Sequence, residues 1–124
     1  MLVDDEDYLR DLGERLLAKF GYSVLTAPDG ETAVQIYREH GMRISLVILD
    51  LIMPGRGGIS CLEQILRENP LAKVIIASGY SVDGSTKKEL ELKTKGFVSK
   101  PFELNQMLNM VRKTLDGKTP PRAV

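Results

Sequence analysis

Cysteine occurs once in the 124 residues, at Cys61, so no internal disulfide can form. A reducing compartment such as the cytoplasm is therefore the expected setting. Charge of one sign is not in excess: 17 basic and 17 acidic residues give a formal net charge of +0. A nucleic-acid or membrane surface calls for a basic surplus, so neither partner is expected. Apolar runs fall far short of a membrane span. No charged stretch followed by an apolar one precedes the first element, so no secretion signal is expected. The sequence also lacks internal repeats and low-complexity tracts. What remains is 43% hydrophobic and 27% charged, the composition of one domain able to close a core.

Hydrophobic periodicity divides the chain into alternating elements. Met1-Leu2-Val3 is a short apolar stub that ends at Asp4-Asp5. Leu9, Leu12, Leu16, Leu17 and Phe20 recur at helical spacing from Asp7 to Phe20, and Gly21 stops that helix. Tyr22 to Thr26 reads as a strand. Pro28-Asp29-Gly30 is a turn, and Asp29 can cap a helix to about Glu39 with Ala33, Ile36 and Tyr37 inward. Leu46 to Leu49 is a continuous apolar strand ending at Asp50. A loop from Met53 to Gly58 leads to a helix with Ile59, Leu62, Ile65 and Leu66 on one face, ended by Asn69-Pro70. Lys73 to Ala77 is a strand ending at Ser78. The polar segment from Asp83 to about Lys95 reads as a weak amphipathic helix. Phe97 to Ser99 is a short strand ending at Lys100-Pro101. A last helix runs from about Glu103 to Leu115, with Leu104, Met107, Leu108 and Val111 inward. The tail 116–124, with Gly117, Pro120 and Pro121, is expected to be flexible.

Five strands alternating with five helices predict an α/β fold. Strands apolar along their whole length are buried on both faces, so the sheet is expected to be parallel and covered by helices on both sides. Ligands bind such sheets outside the carboxyl ends of the strands. Asp4, Asp5, Asp50, Ser78 and Lys100 all fall at strand ends, which gathers three carboxylates, a hydroxyl and an amine on one edge. At ~5 Å and an effective dielectric near 20, each carboxylate pair repels by roughly 3 kcal/mol. Either some stay protonated or a cation sits among them. Oxygen ligands with room for water suit Mg²⁺; zinc prefers His or Cys, and His40 and Cys61 lie elsewhere. An aspartate nucleophile beside a cation, an amine and a hydroxyl points to phosphoryl transfer onto a carboxylate.

Plainer roles exist for each residue. Asp4 and Asp5 can cap the first helix, where acids suit the dipole. Ser78 can be a turn residue and Lys100 a solvated lysine. The glycines from Gly55 to Gly58 lack the lysine of a phosphate loop and read as a linker. His40 reads as structural or surface, and Cys61 as packing.

Taken in order, Asp4-Asp5-Glu6, Asp50-Leu51-Ile52-Met53-Pro54-Gly55, Ala77-Ser78-Gly79-Tyr80 and Lys100-Pro101-Phe102 resemble the receiver domain of two-component response regulators. The likeness spans about Leu2 to Leu115, so residues 1–115 are expected to form the receiver domain. It implies a flavodoxin-like, doubly wound (βα)5 sandwich with strand order 2-1-3-4-5. It also implies a signalling domain rather than an enzyme, phosphorylated by a phosphohistidine of a histidine kinase or phosphotransfer domain. Asp50 would be the phosphoacceptor. Asp5, Asp50 and the Ile52 carbonyl would bind Mg²⁺ directly, and Asp4 through water. Lys100 would pair with Asp50 and then with the phosphoryl oxygens, and Ser78 would turn its hydroxyl toward them. Phe97 matches the aromatic position that turns inward on activation, and Lys100-Pro101 a peptide bond usually cis in the family. A face made by the last two helices and the fifth strand would admit a homodimer.

Some positions depart from common receiver patterns. Phe97 has no hydroxyl, where Tyr is frequent, so a switch there acts by packing alone. Lys93-Thr94 stands where Gly-Ala is usual. Ile52 and Tyr80 match the positions that flank the approach of water to the phosphoaspartate, and neither orients water well. Slow intrinsic dephosphorylation is therefore expected. A receiver that only binds partners and a Mg²⁺-dependent phosphohydrolase are the alternative function classes; the second would need an acid where Ile52 stands. The unusually short first strand, with the Asp-Leu-Ile-Met-Pro-Gly and Ala-Ser-Gly-Tyr-Ser runs, suggests an origin in a longer protein such as a hybrid sensor histidine kinase.

Overall fold

The computed structural model describes residues 1–50, 57–78, 94–99 and 104–116, with the side chains of 78, 96–99 and 104–107 outside that description. The elements are β1 (Leu2–Val3), α1 (Asp7–Lys19), β2 (Thr26–Ala27), α2 (Gly30–His40), a 3-10 turn (Gly41–Arg43), β3 (Val47–Asp50), α3 (Gly57–Glu68), β4 (Val74–Ser78), β5 (Gly96–Ser99) and α4 (Leu104–Leu115). The expected helix from Asp83 lies outside the described residues up to 93, and Thr94 and Lys95 form a bend into β5. The strands make one sheet in the order β2-β1-β3-β4-β5, and every described pairing is parallel. This is the doubly wound α/β sandwich expected of the sequence.

Period-two alternation along the strands loads both faces of the sheet. Val3, Val47, Leu49, Val74 and Ile76 pack against Ala33, Val34 and Tyr37 of α2 and Cys61, Leu62 and Ile65 of α3. Leu2, Leu46, Ile48, Ile75 and Ala77 face the other way, onto Leu17 of α1 and Val111 of α4. Apolar residues at consecutive positions are thus the signature of two covered faces. Cys61 is buried in the first of these clusters, as a packing residue.

Several helix details follow from local chemistry. Asp29 caps α2: its Oδ1 accepts from the Thr32 amide at 2.7 Å. Gly21, at φ 92°, closes α1. The Gly21 amide donates to the Ala18 carbonyl and the Tyr22 amide to that of Leu17, which is a Schellman motif. Asp29 is held below the usual carboxylate range by that Thr32 amide and hydroxyl.

Three expectations are corrected. The second strand was read as Tyr22 to Thr26, yet only Thr26–Ala27 pairs. Its neighbour β1 supplies only Leu2 and Val3, so residues further back have no ladder partner in it. Leu12 and Phe20 of the helical repeat in α1 are exposed, as is Ile59 of α3. Instead α1 buries Gly13 and Leu17, because β1 passes so close that a Cβ on Gly13 would lie 2.6 Å from Leu2 Cδ2. Finally, Gly57 and Gly58 belong to the first turn of α3 rather than to the preceding loop, whose residues 51–56 are outside the described set. Of the inward residues expected in α4, Val111 is buried and Leu108 packs partly buried beside it; the side chains of Leu104 and Met107 fall outside the description.

Candidate functional site at the carboxyl edge of the sheet

The parallel register decides which side chains meet. Val3 of β1 sits opposite Leu49 of β3, so one step further along both strands Asp4 reaches the level of Asp50. The Asp4 amide donates to the Ala27 carbonyl at 3.1 Å, which carries the β1–β2 ladder one bond past Val3. Asp5 follows as the chain turns into α1. The result is a cluster in which one carboxylate oxygen each from Asp4, Asp5 and Asp50 lies within 4.8 Å of the others.

Burial makes this cluster unusual. Asp4 and Asp50 retain 2% and 5% of their exposure, while Asp5 is open to solvent. Carboxylates are almost never buried without compensation. Part of that compensation is local: Asp4 Oδ1 accepts from the Glu6 amide at 2.9 Å. The plainer role for Asp4, tying the turn into α1, therefore holds alongside its place in the cluster. The positive end of the α1 dipole adds to this.

Arg10 also belongs to the site's frame, and sequence reasoning missed it. Its Nη1 donates to the Asp4 carbonyl at 2.9 Å, and its Nη2 pairs with Asp7. The guanidinium thus clamps the end of β1 to the first turn of α1. The only sequence signal was the Asp7–Arg10 spacing of three, which many surface helices share.

Beyond the three acids, the fold brings Ser78 to the same edge. It ends β4 and is opposite Ser99 of β5, while Asp50 is opposite Ala77. Phe97 is in β5 beside Ile76. Lys100, Ile52 and Tyr80 lie outside the described residues, so the structure assigns them no position. His40, far from this edge at the end of α2, is not among the gathered groups.

Three oxygen donors at this separation fit a small hard cation that keeps some of its water, and the cluster could hold one. Among the described residues no nitrogen or sulfur donor joins it, which argues against zinc.

With the geometry in view, comparisons with known proteins are decisive. The family described as the response regulator receiver domain matches residues 1–112. The chain belongs to that family. It is similar to the chemotaxis protein CheY of Bacillus subtilis, 31% identical, with 94% of this chain and 96% of that protein covered. It is also similar to the sensor kinase CckA of Brucella abortus, 34% identical over 94% of this chain; the match spans only 12% of that kinase. Among solved structures, a CheX-CheY-BeF3-Mg²⁺ complex from Borrelia burgdorferi contains a chain 32% identical, with a TM-score of 0.84. That match covers 90% of this chain and 84% of the other. The receiver domain is thus a signalling module of the phosphoryl-accepting class, not a classical enzyme. Receivers of this kind work with histidine kinases or phosphotransfer proteins. No described helix is long and apolar enough to cross a membrane.

Proposed function

We propose that this receiver takes a phosphoryl group onto Asp50 from a phosphohistidine of a histidine kinase or histidine phosphotransfer domain, with Mg²⁺ bound beside it. The observation that carries this reading is the buried Asp50 within a three-carboxylate cluster at the sheet's carboxyl edge. A carboxylate kept dry and close to a cation is a competent nucleophile toward phosphorus. One Asp50 oxygen forms the new bond to phosphorus as the phosphorus–nitrogen bond breaks. The electron pair leaves with the imidazole nitrogen, which takes a proton.

In this reading Asp5, Asp50 and the Ile52 carbonyl would hold the metal, and Asp4 would reach it through water. The cation supplies positive charge against the acids and the incoming phosphoryl oxygens. Lys100 and Ser78 contact the phosphoryl group only when it is present. That difference in contact is what shifts a two-state equilibrium, with Phe97 repacking as the fold responds. Residues 1–115 act as the receiver and 116–124 as a tail. The likeness to a segment of the sensor kinase CckA supports a setting within a hybrid kinase; the single cysteine is the ground for a cytoplasmic compartment. Pairing of two receivers through the last two helices and β5 is a further outcome open to sizing experiments.

Incubation with a small phosphodonor and Mg²⁺, followed by intact mass measurement, tests the reading. The expected result is a stable gain of one phosphoryl group that Asp50→Ala abolishes. No gain would leave a protein-binding module. Steady consumption of donor without a stable adduct would indicate a phosphohydrolase.

A further inference from the structure

The turn from β1 into α1 carries two of the three clustered acids, and its geometry is set by a residue further along the helix. Glu6, at the N-cap of α1, gives the helix no side-chain cap among the described residues. The turn is tied by other bonds instead. Asp4 Oδ1 accepts from the Glu6 amide at 2.9 Å. Arg10 then bonds twice to the same short stretch. Its amide donates to the Glu6 carbonyl at 2.9 Å, and its Nη1 donates to the Asp4 carbonyl at 2.9 Å. Its Nη2 pairs with Asp7, which aims the guanidinium. One residue therefore holds the carbonyls on both sides of Asp5.

Asp5 is the acid that most needs this. Asp50 is a strand residue opposite Ala77, and the Asp4 amide is bonded to the Ala27 carbonyl. Asp5 follows the ladder and is exposed, so core packing does not place it. The Asp4 carbonyl belongs to the peptide unit that joins Asp4 to Asp5. That unit is planar, so a bond to its oxygen also fixes the Asp5 amide and Cα. We infer that Arg10 is the positioning residue of the acidic site: by holding the Asp4–Asp5 peptide it sets the Asp5 carboxylate where it can share a cation with Asp50. This role rests on the Mg²⁺-dependent reading proposed above. Arg10 acts through Asp5 and not on the reacting atoms.

The sign of the effect separates position from charge. A guanidinium near the acids repels a cation, so loss of its charge alone would tighten Mg²⁺ binding. Loss of the brace would weaken it. Arg10→Met keeps the apolar stem and removes both the charge and the donors. Arg10→Lys keeps the charge but replaces a planar fork by a single point donor, which cannot serve the Asp4 carbonyl and Asp7 in the same way. Mg²⁺ affinity is measured by calorimetric titration of the 124-residue chain and both variants, at a temperature where each is folded. The Kd should rise about tenfold in Arg10→Met, the low end of the usual cost of losing a group that orients a metal ligand, and about threefold in Arg10→Lys. Phosphorylation by a small phosphodonor gives a second readout. The loss should fall on the Mg²⁺ concentration for half-maximal rate more than on the rate at saturating Mg²⁺. A merely structural role would lower the melting temperature and leave the Kd of the folded chain where it was. An unchanged or lower Kd in Arg10→Met overturns the inference while the phosphorylation reading stands; should that variant not fold, an unchanged Kd in Arg10→Lys does the same. A parent chain that binds no Mg²⁺ overturns that reading and the role of Arg10 together.

Discussion

The two edges of the sheet solve opposite problems. At the carboxyl edge, side chains end in charge: three carboxylates share less than 5 Å, two of them buried. At the amino edge, the strands begin in apolar residues around a groove, and the charged groups there are the Met1 ammonium and Arg43. The carboxyl edge gathers acids that could hold a cation. The amino edge is shaped for hydrocarbon and disfavours the ammonium it holds. In parallel α/β architecture the core lies between such edges, so function and stability are separated along a single strand, and β1 joins the two through only two paired residues.

The contrast breaks first at Asp50. In a chelator, Asp50→Asn removes one member of each of two repelling pairs. With each pair worth roughly 3 kcal/mol at ~5 Å, solvent around Asp5 screening its share and the lost interaction of Asp50 with its own partner offsetting part of the relief, the variant should gain on the order of 1 kcal/mol of stability. The gain should appear as a higher melting temperature. Mg²⁺ should stabilise the parent chain, by about 2.7 kcal/mol when the metal is at a hundred times its Kd. Indifference of the parent's melting temperature to Mg²⁺, together with no gain in the variant, would end the cation reading.

The amino edge answers to protons instead. The Met1 ammonium has a folded pKa of about 6 against 8.0 unfolded, so between those values the unfolded chain binds more protons. Stability therefore rises with pH across this window and is lowest below about 6. The full span is about 3 kcal/mol for a shift of this size. Arg43 also lines the groove. Denaturant midpoints at pH 5.5 and 8.5 measure the change. Acetylating the amine should flatten it, and a profile unaltered by acetylation would assign the slope to other groups.

Phosphate lifetime sharpens the functional side. Ile52→Asn should speed loss of the phosphoryl group on the order of tenfold, equal to about 1.4 kcal/mol of barrier. Decay of the phosphorylated mass after donor removal reports it, and an unchanged decay would show that Ile52 does not govern access of water.

Much of this was readable from residues alone, for physical reasons. Buried parallel strands announce themselves as unbroken apolar runs, so Leu46 to Leu49 and Val74 to Ala77 were legible, and with them the strand ends that carry Asp50 and Ser78. Asp29 was legible because an N-cap is a local interaction. Tyr22 to Leu25 was misread because pairing depends on a neighbour, and β1 is short there. Gly13 was missed because its burial reflects how closely α1 approaches Leu2, a distance no periodicity encodes. Arg10 was missed because its partner is a backbone carbonyl, which leaves no mark in the sequence.

The smallest effect comes from Asp29, which stands on the carboxyl edge but outside the acidic cluster. Its Oδ1 satisfies the Thr32 amide in the first turn of α2. Asp29→Ala should cost about 1 kcal/mol, the ordinary value of a lost N-cap, and Asp29→Asn less, since the amide oxygen still accepts. The folded carboxylate is depressed, so its contribution is present above the usual carboxylate pKa and is lost as pH falls through the lower folded value. The alanine penalty, read from denaturant midpoints, should therefore shrink in acid. Because Asp29 is outside the triad, the penalty should also be the same with and without Mg²⁺. A Mg²⁺-dependent penalty would mean that the edge acts as one electrostatic unit, and that the division between capping acids and metal-holding acids drawn from the geometry is wrong.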